Sequence, residues 1–85
     1  MVTINKNGIK ALFFIPEENL RRDFPSETVI AVFEKDGLKF LLSVWNGCYG
    51  IMSETSPDIT VMTDIGSSYD SVISTMTDFV NNPAP

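Results

Sequence analysis

Histidine is absent from this sequence, and cysteine occurs once, as Cys48. Without histidine there is no imidazole base, no imidazole metal ligand, and no Ser-His or Cys-His pair. A single thiol forms neither an internal disulfide nor a thiolate zinc site nor a C-x-x-C redox pair. Basic residues are missing from the whole second half, since none of the six lies beyond Lys39. Glycine is sparse, and neither G-x-G-x-x-G nor G-x-x-x-x-G-K-[ST] occurs, so no nucleotide cradle is signalled. No apolar run exceeds the five residues of Ala11–Ile15, far short of the roughly 20 that span a bilayer. The start, Met1 to Asn5, lacks the basic and apolar pattern of a secretory signal. The expectation is a non-enzymatic, cofactor-free and metal-free cytoplasmic protein that binds neither membrane nor nucleic acid.

What is present fits one folded domain over residues 1–85. Hydrophobic content of 44% against 20% charge is that of an ordinary globule. The net charge of −5 is concentrated beyond Ser43, where Glu54, Asp58, Asp64, Asp70 and Asp78 face no base. Such a surface repels phosphate backbones and suits a basic protein partner. Mimicry of DNA is a lesser alternative, because five acids over this length are sparse beside a duplex with a charge every ~1.7 Å. Glu54 and Asp58 flank a turn and mark no cleft. Cys48, far in sequence from any base, reads as a buried or half-buried small hydrophobe.

Three pairs punctuate the chain: Asn7-Gly8, Asp36-Gly37 and Asn46-Gly47. Asn, Asp and Gly tolerate the positive φ that type I′ hairpin turns require. Folding the chain at each pair predicts strands at about 2–6, 9–15, 28–34, 38–45 and 48–53, with a sixth at 59–64. In that register Glu34 meets Lys39, Phe33 meets Phe40 and Val44 meets Tyr49. A slip of one residue would break these matches. Pro16 opens a short helix near 16–24, in which Glu17–Arg21 and Glu18–Arg22 are i,i+4 pairs. A C-terminal helix at about 68–81 follows from the stripe Tyr69, Val72, Ile73, Met76, Phe79 and Val80. Ser67 with Asp70 would cap it, and residues 82–85 would fray. The fold class is α+β, an antiparallel meander of five to six strands with a helix on one face. Whether the first hairpin joins the main sheet is not fixed by the sequence.

Alternation sorts the central strands into two faces. One carries Val29, Ala31, Phe33, Phe40, Leu42, Val44, Tyr49 and Ile51, which the helix stripe can cover. The other carries Ile30, Val32, Leu41, Trp45 and Met52 among polar residues. Burying each of those five is worth roughly 1.5–3 kcal/mol, so a cover is expected. The cover is internal, through Leu20 and Phe24 or the first hairpin with Leu12 and Phe14, or it is another molecule. The functional expectation is a small acidic inhibitor that occludes another protein. Compact acidic domains of this kind are similar, as a class, to immunity proteins, antitoxins and phage anti-defence proteins. Trp45, Tyr49 and Met52 would anchor it, flanked by Ile30, Val32 and Leu41. Asp70, Ser74 and Asp78 on the outer side of the helix would meet basic groups or simply face solvent. The alternative is a homodimer or larger scaffold built on the same face.

Overall fold

All three Asx-Gly pairs fold as hairpin tips. At the third, Asn46 and Gly47 both hold positive φ, 53° and 77°, as a type I′ turn demands. The computed structural model describes residues 1–56 and 58–81. Within them the strands are β1 (Val2–Lys6), β2 (Ile9–Phe13), β3 (Thr28–Lys35), β4 (Leu38–Trp45), β5 (Cys48–Ser53) and β6 (Ile59–Met62). They form one six-stranded antiparallel sheet in chain order. The first hairpin therefore joins the main sheet, with Ala11 opposite Phe33. The expected pairs Glu34–Lys39, Phe33–Phe40 and Val44–Tyr49 all form. The expected fraying of 82–85 lies outside the described residues.

The helix α1 (Tyr69–Asn81) covers the inner face of this sheet. Its Val72, Ile73 and Met76 share one buried cluster with Phe13, Phe33, Leu42, Val44 and Ile51. Phe13 meets the Phe33 ring edge-on at 5.8 Å, and Phe40 meets Phe79 the same way at 6.1 Å. Such pairs add to area burial because ring edges and faces carry opposite partial charge. The helix begins one residue later than Ser67 would allow. Ser68 is the cap: its Oγ accepts the Ser71 N–H at 3.1 Å, and Ser71 Oγ accepts the Ser68 N–H at 3.1 Å. This is the reciprocal bonding of a capping box, with serine in the usual Glu or Gln place.

The short helix of 16–24 is reduced to one 3-10 turn, Glu17–Asn19. Its i,i+4 pairs are consequently not made. Arg21 instead reaches Asp64 at 2.6 Å, and Glu17 Oε2 accepts the Tyr69 N–H at 2.8 Å. A carboxylate at that point satisfies an orphan donor and faces the positive end of α1. Leu20, just after the turn, is fully buried, and Phe24 and Ile15 pack half-buried against the same core. This segment thus adds to the inner layer rather than roofing the outer face.

One irregularity changes the face assignment. The β3–β4 register jumps between Val29 and Ala31, so Ile30 has no partner on β4. A bulge places two successive side chains on one side. Ile30 and Ala31 are both fully buried, whereas Val29 is 41% exposed. The expectation that Ile30 lies on the outer face is corrected: Val29 takes that place. The bulge is held by the Phe14 N–H, which donates to the Ile30 carbonyl at 2.9 Å.

Candidate outer-face binding site

Among the described residues no helix lies on the outer face of the sheet, since α1 is docked on the inner one. Strand register sets an apolar row straight across it. Leu12 stands opposite Val32, Val32 opposite Leu41, Leu41 opposite Met52, and Met52 opposite Ile59. One step along, Lys10, Glu34 and Lys39 form a row of alternating charge. One step the other way, Val29 faces Ser43, Ser43 faces Gly50, and Gly50 faces Val61. Beyond that row Trp45 stands opposite Cys48. Exposure rises toward this corner: Trp45 and Ile59 are each 58% exposed and Val61 66%. Val32, Leu41 and Met52 in the middle are half-buried.

The corner is hollow. Trp45, Ser43, Gly50, Ile59, Val61 and Glu27 line a cavity of about 160 Å³ on the sheet surface. The missing side chain of Gly50 opens it. A Cβ there would come within 3.2 Å of Ile59 Cγ2 and 3.4 Å of Ser43 Oγ. Cys48 also borders the hollow, and its thiol is free and exposed, which corrects its expected burial.

The expected site residues therefore separate. Trp45, Met52, Val32 and Leu41 share the outer face. Tyr49 borders the hollow, but its side chain is buried in the core, where its hydroxyl donates to the Leu20 carbonyl at 2.9 Å. Ile30 is withdrawn by the bulge. Asp70, Ser74 and Asp78 are exposed, but they lie on the solvent side of α1, across the sheet from Trp45. Asp70 pairs with Lys6 at 3.3 Å. One flat partner cannot touch both groups. Sequence reasoning missed Ile59, Val61 and Glu27. It treated Leu12 as a cover for the face, of which Leu12 is a part.

No protein family, curated protein or solved structure matches this chain. The site therefore rests on its own geometry. Among the described residues no group of three or more metal-ligating side chains occurs, and no helix is long and apolar enough to cross a membrane.

Two titrating groups tie the loops to this framework. Burial pushes the Tyr49 phenol above its ordinary value, with Arg21 opposing. A phenol raised on folding contributes stability that is complete below the unfolded value of about 10 and is lost as pH rises toward the folded value. Tyr49→Phe should remove that part of the alkaline slope. It should also cost about 1–3 kcal/mol near neutrality, because the Leu20 carbonyl loses its partner. Urea unfolding on either side of the phenol's titration measures both. Asp64 runs the other way. The Gly66 N–H at 2.8 Å and the Arg21 guanidinium hold its carboxyl below the ordinary range. Its contribution is present above the unfolded carboxylate value and is lost as pH falls through the lowered one.

Proposed function

We propose that the protein is a small acidic binding module that inhibits another protein by covering part of its surface. Immunity proteins, antitoxins and phage anti-defence factors act in this general manner. The observation that carries the reading is the uncovered apolar row from Leu12 to Ile59, ending at the hollow beside Trp45. Antiparallel sheets with one solvated face normally turn polar residues outward. Contiguous apolar surface in the open marks an interaction site. Tryptophan is among the residues most enriched at binding hot spots.

The partner is expected to be basic, since the protein's net charge is −5 and no base follows Lys39. A reducing compartment such as the cytoplasm suits the chain, because Cys48 is exposed and unpaired. A second reading is a homodimer through the same face. The alternating Lys10–Glu34–Lys39 row favours it, because a two-fold axis can lay such a row on its own copy.

The test is capture from a bacterial lysate followed by titration of the captured protein. Trp45→Ala should weaken binding about tenfold or more while leaving the fold intact. Unchanged affinity would remove the outer face as the binding surface. Sedimentation of the protein alone decides the second reading: a dimer dissociated by Trp45→Ala supports it, and a monomer rejects it.

A further inference from the structure

Among the described residues, Glu27 is the one charged residue lining the hollow beside Trp45. It is exposed, and among the described residues neither of the two ion pairs, Lys6–Asp70 and Arg21–Asp64, involves it. None of the described residues that line the hollow is basic. A second carboxylate lies at the same end of the sheet: Asp23 Oδ1 is 3.8 Å from where a Cβ on Gly47 would stand. The remaining walls are mostly apolar, with Ile59 and Val61 across from the Trp45 indole and with Ser43 and Cys48 as their small polar members. The open site thus combines a greasy trough, an accessible aromatic ring and an uncompensated negative charge.

A simple apolar side chain would use the trough and leave the carboxylate idle. A compact ammonium would use the charge but remain strongly hydrated. A guanidinium on a hydrocarbon stem uses all three. Its methylenes lie along apolar walls. Its planar head stacks on an indole and pairs with a carboxylate in parallel hydrogen bonds. A cavity of about 160 Å³ holds one side chain, not a helix or a base pair.

We infer that this hollow is a receptor for a single arginine side chain of the partner, with its stem against Ile59 and Val61, its head between Trp45 and Glu27. The inference rests on the reading that the outer face binds protein, and it names the residue that the partner presents. Position 50 is then a specificity element, since any side chain there would fill the trough.

The probe is n-butylguanidinium chloride, titrated into the nitrogen-labelled full chain and followed by NMR at the Trp45 indole N–H and the Gly50 amide. n-Butanol and n-butylammonium chloride at matched ionic strength are the comparisons. Saturable shifts are expected, with butylguanidinium binding about fivefold or more tighter than butanol. Glu27→Gln, whose spectrum also reports its folding, should reduce butylguanidinium to the level of butanol. Equal binding of butanol would mean a plain apolar hollow and would overturn the assignment. So would the lack of saturable shifts, or a folded Glu27→Gln variant that binds butylguanidinium as before. Failure here is separable from failure of the inhibitor reading. If Trp45→Ala still weakens capture, occlusion stands and the arginine receptor falls. If the probe binds as expected and capture ignores Trp45→Ala, the hollow still selects a guanidinium, but occlusion through this face falls and with it the partner as the source of the arginine.

Discussion

Phe13→Ala is expected to destabilise the protein by about 3–5 kcal/mol, and so to lower the thermal midpoint by roughly 15–30 °C. Phe13 is fully buried. It meets the Phe33 ring at 5.8 Å and the Tyr69 ring at 4.3 Å. Removing it opens a void between the sheet and the start of α1, which close-packed neighbours fill only in part. It also loosens Tyr69, whose hydroxyl donates to the Ile15 carbonyl at 2.8 Å. A domain of this size has only about 5–15 kcal/mol in total, so roughly a fifth or more of its stability is at stake. The control is the same substitution one residue on. Phe14 is 40% exposed, and Phe14→Ala should cost about 1 kcal/mol or less. Calorimetry of the two variants reads the difference. Equal losses would mean that Phe13 and Phe14 are misassigned as inward and outward.

Ile30→Thr should cost about 2–4 kcal/mol, whereas Val29→Thr should stay within about 0.5 kcal/mol of the parent. Ile30 is fully buried by the bulge, and a hydroxyl placed there would displace packed methyl groups without a partner. Val29 is 41% exposed, so threonine keeps its shape and strand preference while its hydroxyl meets water. Regular alternation through β3 predicts the opposite order. Urea titration of the two single variants therefore tests the bulge itself, independently of any partner.

That bulge is also where the sequence stops being readable. The hairpin registers followed from three Asx-Gly pairs, because few residues accept positive φ twice in succession. The helix followed from its stripe at Tyr69, Val72, Ile73 and Met76. Between Thr28 and Phe33, however, every residue is a plausible strand member, and none marks where an extra residue enters the ladder. Ser67 with Asp70 fitted the S-x-x-D pattern, but the reciprocal cap bonds form one residue on, between Ser68 and Ser71. The turn after Pro16 carried helical charge pairs, but Glu17 and Arg21 find better partners on distant segments, at Tyr69 and Asp64.

The proposed binding corner was half legible. Alternation placed Val32, Leu41, Trp45 and Met52 together once the turns fixed the register. Ile59 and Val61 needed the β5–β6 register, and the Ser-Thr-Pro connection from Ser53 to Asp58 contains no turn pair to set it. Gly50 looks in sequence like a weak point in a strand. Only the pairing of Gly50 with Ser43 and Val61 makes it the opening of a hollow. Glu27 lies in an irregular segment, where no periodicity assigns a face.

The most direct test is a comparison of two double variants in quantitative capture of the same partner. Ile59→Thr with Val61→Thr alters the most exposed aliphatic pair on the outer face, where the cost to folding is about 1 kcal/mol or less. Asp70→Asn with Asp78→Asn alters the exposed side of α1. The first is predicted to weaken capture by about tenfold or more and the second to change it by less than about threefold, both with unaltered folds. Loss of capture in the helix variant, with the sheet variant still binding as the parent does, would contradict the assignment of the outer sheet face.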